Sequence, residues 1–186
     1  MEPQEREPEG AMEPQEREPD RTPGFGRRER RKGAWVEHMI TVREMRLSDL
    51  DQVSEIESRT FSEPWSRNGF ETSLQSTDTL YLTALKGERV AGYCGLLRSF
   101  EEADITNVAV AEEFRNQGIG RNMLLVLMEK GRQAGILRFT LEVRVSNRQA
   151  IHLYETLGFA SAGIRKHFYR KPEEDALIMW SGAQAD

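Results

Sequence analysis

The sequence predicts an α/β (α+β) fold, a mixed sheet with helices on both faces, behind a charged N-terminal extension. Three patterns carry this. Residues 138–145 alternate strictly, with Phe139, Leu141, Val143 and Val145 on one side and Thr140, Glu142 and Arg144 on the other. That two-residue period marks a half-buried strand. Ile119, Met123, Leu127 and Met128 recur instead at helical spacing. Between an apolar run at 105–110 and that helix lies Arg115-Asn116-Gln117-Gly118-Ile119-Gly120-Arg121, a glycine-bearing turn that joins strand to helix.

The elements follow in order. Residues 40–45 are short and β-branched and predict a first strand. Ser48 reads as a helix cap with Asp51 completing an imperfect capping box; Leu50, Val53, Ile56 and Glu57 follow at helical spacing, with Val53 and Ile56 the buried positions. Residues 61–66 form a turn, and Ser66 caps a second short helix through Phe70 and Leu74. Residues 79–86 and 89–98 flank Gly87-Glu88 as a hairpin, and 103–110 is a fourth strand. A helix over 118–133 stops at Gly135. After the strand at 138–145, Ser146 or Asn147 caps a helix running to Leu157, which Gly158 ends. Strands at 160–169 and 175–180 close the chain. This mixture of strand and helix runs needs helices packed on both sides of one sheet.

With 186 residues and a net charge of -5, the chain can build one sizeable core and has no global basic field for nucleic acid. No apolar run approaches the roughly 18 residues of a membrane span, and the N-terminus has no apolar signal core. Cys94 is the only cysteine, so no internal disulfide forms, which fits the expected cytoplasmic location. His38, His152 and His167 are scattered, and no metal site is expected.

Residues 1–38 are set apart as an extension from a folded domain at 39–186. Residues 1–8 recur identically as 12–19, and five of the seven prolines precede residue 34. So few apolar residues cannot offset chain entropy, and disorder is expected there. The basic run at 27–32 reads as a solvated tail, or as a contact for RNA or an acidic protein.

The turn at 115–121 has the chemistry of an anion site. First-turn N–H groups lack intrahelical partners, and the helix dipole adds about half a positive charge. Gly118 and Gly120 carry no Cβ, so a phosphate can approach the backbone. The spacing excludes a Walker A loop, since Arg121-Asn122 stands where Lys-Ser or Lys-Thr is needed, and a dinucleotide fingerprint, since the third glycine is missing. Alone, the pattern is equally a surface turn with incidental glycines.

Two other stretches accompany it. Upstream lies Phe61-Ser62-Glu63-Pro64-Trp65-Ser66; downstream lie Leu141-Glu142-Val143-Arg144-Val145-Ser146-Asn147 and Ala150-Ile151-His152-Leu153-Tyr154-Glu155-Thr156-Leu157-Gly158-Phe159. In this order the set resembles the GNAT acetyltransferases over roughly residues 40–181, and within them the ribosomal-protein-alanine N-acetyltransferase type. The resemblance implies acetyl-CoA as the phosphate ligand and a fourth and fifth strand that splay apart around its pantetheine arm. It implies backbone pairing of that arm with Val108, Ala109 and Val110, and the pyrophosphate on the amides of Asn116, Gln117, Gly118, Ile119, Gly120 and Arg121. Asn147 is given a cofactor contact, where the residues alone read equally as a helix cap.

Acetyl transfer to an amine needs a base at the amine, dipoles at the thioester oxygen and an acid at the departing sulfur. Glu142 is the candidate base. A carboxylate on a partly buried sheet face is costly to ionise, which lifts its pKa, and the position matches the type's catalytic glutamate. Pattern alone reads it as a surface carboxylate paired with Arg144 or Arg138. Tyr154 is the candidate acid, on a helix face with Ala150, Leu153 and Leu157 where its ring is also core. The resemblance assigns the oxyanion donor to a backbone N–H, that of Val110. Cys94, inside an apolar strand, is expected to be inert packing, with direct transfer preferred to an acetyl-enzyme. Acceptor walls are expected at 61–66 and 165–175. The resemblance implies the N-terminal alanine of a small-subunit ribosomal protein as acceptor. A GNAT acting on lysine or small amines, and a silent acetyl-CoA-binding partner protein, stay open as alternatives.

Overall fold

The computed structural model describes residues 39–182; the expectations for the N-terminal extension lie outside that range. Strand β1 is Ile40–Glu44. A 3-10 turn, Leu47–Asp49, leads into helix α1, Leu50–Thr60, and α2 follows at Arg67–Leu74. Strands β2 (Thr79–Lys86), β3 (Arg89–Ser99) and β4 (Glu102–Val110) form an antiparallel meander. A second 3-10 turn, Glu112–Phe114, precedes α3 (Ile119–Gln133). Then come β5 (Arg138–Arg144), α4 (Arg148–Thr156), β6 (Ala160–Arg170) and β7 (Glu173–Gly182). The seven strands form one sheet in the order β1-β2-β3-β4-β5-β7-β6.

The sheet carries a different core on each face. Leu82, Ala84, Cys94, Ile105, Leu141 and Val143 pack under α3 and α4 with Met123, Leu127 and Tyr154. Tyr81, Tyr93 and Ala109 pack under α1 and α2 with Leu50, Val53, Ile56 and Phe70. The alternation of β2 explains the split, because Leu82 and Ala84 face one way and Tyr81 the other. In β4 the register shifts between Gly95 and Leu96: Gly95 opposes Asn107 and Leu96 opposes Ile105, leaving Thr106 as an extra residue. This bulge inverts the parity of the strand. Before it Ala103 and Ile105 face α3; after it Val108 and Val110 do, while Ala109 turns toward α1 and α2.

Only β4 and β5 run parallel, and they pair at just Glu102 with Arg138, Ala103 with Phe139 and Asp104 with Thr140. Beyond Asp104 each keeps its other neighbour: β4 stays on β3 as far as Val110, and β5 stays on β7 as far as Arg144. The two strands therefore form a fork, as the family resemblance implies.

Two local expectations are corrected. Ser48 does not cap α1 but lies within the 3-10 turn. The Asp49 carboxylate makes no cap bond to α1 either; it closes the 3-10 turn by accepting from the Arg46 N–H at 2.8 Å and is gripped by Arg43 through both guanidinium arms at 2.7 and 2.9 Å. Burial alone would raise the Asp49 carboxyl, but these bonds hold it below its ordinary value. Glu57, which shares the apolar stripe of α1, is also buried, at 1% exposure. Ser66 caps α2 as expected, accepting from the Gly69 N–H at 3.1 Å.

Gly95 tests the packing under α1 and α2. A Cβ there would lie 2.2 Å from the ring of Tyr81, which is itself buried. Gly95→Ala is expected to lower unfolding stability by about 1–3 kcal/mol through overpacking, read as a shift of the urea midpoint at unchanged slope.

Candidate functional site at the strand fork

The turn after β4 is built to expose backbone donors. Asn116 (φ 60°) and Gly118 (φ 74°) both take left-handed conformations, and no side chain caps α3. Asn116, Gln117, Gly118 and Arg121 are exposed, whereas Ile119 is buried and anchors the turn in the core. Gln149 of α4 donates to Asn116 Oδ1 at 2.9 Å, and the Gln117 amide donates to the Glu113 carbonyl at 3.3 Å. The uncapped N-terminus with its open Gly118 face fits a diphosphate. The two glycines differ in kind. A Cβ at Gly118 would meet nothing within 4 Å, so its need is the left-handed φ; at Gly120 it would sit at ordinary contact distance, 3.6 Å from Val110 Cγ2 and 3.7 Å from Leu153.

At the fork, Val108, Ala109 and Val110 are paired to β3 but have no partner on the β5 side. The Val110 carbonyl accepts from Arg115 Nε at 3.1 Å, which ties the end of the strand to the start of the turn. A strand edge with unspent amide groups suits a ligand that carries amides of its own.

Glu142 and Tyr154 lie on opposite faces of the sheet. Leu141 and Val143 lie in the α3/α4 core, so Glu142 projects from the other side of β5, half-buried. Its partner is neither Arg144 nor Arg138. Arg165 of β6 reaches it at 2.6 Å, while Arg144 pairs with Glu174 and Arg138 with Glu102. Asp104, paired in register with Thr140, shares this corner. Burial and then the neighbouring charge of Glu142 push its carboxyl up, against Arg165. The Tyr169 hydroxyl donates to the Glu142 backbone carbonyl at 3.2 Å. Tyr154 is buried in the α3/α4 core, edge-on to Phe159. Burial lifts its phenol well above the ordinary range, with Tyr169 and Cys94 adding to the shift.

Asn147, rather than Ser146, caps α4, accepting from the Ala150 N–H at 3.1 Å. Cys94 is wholly buried, and burial pushes its thiol up, away from the reactive thiolate. The expected acceptor walls meet: Lys171 Nζ, between β6 and β7, lies 4.0 Å from Glu63 Oε1 in the turn between α1 and α2. Trp65 in that turn is 42% exposed. A cavity of about 150 Å³ lies elsewhere, between α1 and the β4–α3 turn, and neither Glu142 nor Tyr154 lines it.

Sequence reasoning missed Asp104 and Asn107 as parts of this region, and it missed Arg165, within the expected wall at 165–175, as the partner of Glu142. Asn107 is buried and its Oδ1 has no hydrogen-bond partner among the described residues; a lone amide in the apolar run of β4 was its only signal. For Arg165 no local signal exists, because its place beside Glu142 follows from β7 lying between β5 and β6.

A splayed parallel pair that ends at a glycine turn and an uncapped helix N-terminus is the architecture of the acyl-CoA-dependent N-acyltransferases. The acetyltransferase (GNAT) family model matches residues 50–159, and the chain belongs to that family. It is therefore an acetyltransferase with acetyl-CoA as acetyl donor. It is 41% identical over 140 residues to a Bacillus subtilis (strain 168) protein provisionally named [ribosomal protein bS18]-alanine N-acetyltransferase, covering 75% of this chain and 93% of that protein. It is 35% identical over 143 residues to the [ribosomal protein bS18]-alanine N-acetyltransferase of Escherichia coli (strain K12), covering 76% of this chain and 96% of the enzyme. The crystal structure of the ribosomal-protein-S18-alanine N-acetyltransferase from Escherichia coli superposes with a TM-score of 0.72 at 33% identity, over 80% of this chain and 97% of that one. No helix among the described residues is long and apolar enough to cross a membrane.

The contrast between the two glycines is testable. Gly118→Ala should cost about 1 kcal/mol of stability through the left-handed φ, whereas Gly120→Ala, inside the first turn of α3, should be neutral or slightly stabilising. Thermal unfolding of the two variants reads the difference.

Proposed function

We propose that this chain acetylates a protein N-terminus, and that its acceptor is the N-terminal alanine of a small-subunit ribosomal protein. The reading of the reaction is supported by the parting of β4 from β5, with Glu142 on one face of the sheet and Tyr154 on the other. The acceptor is supported by the names of the relatives, which match this chain over most of their length.

An α-amine has an unperturbed pKa of about 7.7–8.0 and must lose a proton before it can attack. Glu142, on the α1/α2 face between the two acceptor walls, takes that proton. Arg165 and the Tyr169 hydroxyl fix the carboxylate and its backbone. Acetyl-CoA supplies the acetyl group and a sulfur leaving group. Val108, Ala109 and Val110 hold its amide arm, with the Val110 N–H at the thioester oxygen. Asn116, Gln117, Gly118, Ile119, Gly120 and Arg121 present backbone donors to its diphosphate, and Asn147 adds a contact at the start of α4. Tyr154 stays protonated through burial and gives its proton to the departing sulfur. With the Cys94 thiol sealed in the core, acetyl passes directly to the amine.

Glu142→Gln should lower turnover by about 10² or more while leaving coenzyme A affinity nearly unchanged, measured by free-thiol release and calorimetry. Turnover within about threefold of wild type would remove Glu142 from the role. Tyr154→Phe should likewise slow turnover, and in wild type no alkaline limb should appear below about pH 10, the ordinary phenol value. A panel of alanine-, serine- and methionine-initiated peptides, lysine peptides and polyamines tests the acceptor. Activity confined to alanine N-termini is the expected result; cofactor binding without turnover on any of them would overturn it.

A further inference from the structure

Glu57 is the buried acid that the chemistry above does not use. It sits on α1 at 1% exposure, and among the described residues no cation pairs with it. Its oxygens are occupied differently from those of Asp49. Oε1 accepts from the Trp65 N–H at 2.9 Å, and Oε2 accepts from the Tyr93 hydroxyl. Burial raises this carboxyl, and the two hydrogen bonds pull against the rise. A carboxylate buried without a counter-ion is costly, and α1 already has Leu50, Val53 and Ile56 to seat it. What the carboxyl adds is two acceptors in fixed positions, one of them aimed at the turn between α1 and α2.

That turn contains Pro64, which has no N–H, so the Trp65 amide is the first backbone donor after it. The Trp65 ring lies 5.7 Å from Phe70, and Phe70 stands edge-on to Tyr93 at 5.5 Å. Main chain and side chain of one residue are therefore tied to the same phenol, once through Glu57 and once through Phe70. Tyr93 pairs in register with Ala109 of β4, at the unpaired arm of the fork, and the Asn107 amide lies against its hydroxyl.

We propose that Glu57, backed by Tyr93, is a positioning residue for the acceptor: it latches the Trp65 turn to the fork strand and so sets affinity for the incoming N-terminus. This rests on the reading of residues 61–66 as an acceptor wall.

The test uses the full chain with an alanine-initiated peptide and acetyl-CoA. Glu57→Gln keeps volume but offers one good acceptor to two donors; Tyr93→Phe removes a single oxygen and keeps the ring packing. Each is expected to raise peptide KM roughly tenfold, the scale of one lost hydrogen bond, with kcat and acetyl-CoA KM within about threefold. The double variant should be no worse than the more severe single one, since both cut the same tie. Peptide KM within about twofold of wild type in both single variants overturns the proposal, as does an equal rise in both substrates' KM. Trp65→Ala separates the two readings. If it leaves peptide KM unchanged, the acceptor does not use this wall and the underlying reading falls. If it raises peptide KM while Glu57→Gln and Tyr93→Phe do not, the latch alone falls.

Discussion

The parting of β4 from β5 is the constraint on which the rest of the structure depends. Three residue pairs hold the strands together, and then each follows its other neighbour, β3 for one and β7 for the other. Backbone groups at a strand edge inside a sheet need partners, so a fork of this kind asks for water or for a ligand with amides. The bulge at Thr106 lies just beyond the last pair, where extra twist helps the strands diverge. Because α3 starts from the far end of β4, its uncapped N-terminus stands at the mouth of the same fork.

The sheet then sorts the chemistry by face. Alternation along β5 sends Leu141 and Val143 into the core beneath α3 and α4 and leaves Glu142 on the side of α1 and α2. Tyr154 belongs to the first of these faces. Glu142 and Tyr154 are thus separated by the sheet, and in the proposed reaction the gap between β4 and β5 is where both would address one reacting group. A slip of one residue in the register of β5 would exchange the faces and destroy this division.

Two buried carboxylates, Asp49 just before α1 and Glu57 about two turns along it, show how polar groups are used here. Asp49 meets a guanidinium in a bidentate grip and is held in its charged form, which staples β1 to the start of α1. Glu57 meets only an amide and a phenol, and its carboxyl is driven the other way by burial. The first arrangement fits a structural joint. The second fits a joint between the scaffold and a loop.

Much of what near neighbours in the chain set was legible from the amino-acid sequence: the order of elements, the alternation of β5, the Ser66 cap, the glycine-bearing turn before α3. The family resemblance added the fork and the candidate pair Glu142 and Tyr154. Even locally some detail was hidden, since the 3-10 turn that takes up Ser48 is closed by Asp49, whose carboxylate is held by the guanidinium of Arg43 arriving from β1. The partner of Glu142 was out of reach, because Arg165 comes beside it only once β7 has inserted between β5 and β6. Burial of Glu57 likewise needed β3 to bring Tyr93 underneath α1. Periodicity and turn chemistry act through covalent neighbours and can be read in one dimension; strand order, bulge parity and the company of a buried charge depend on which distant segments pack together, and the fold alone determines that.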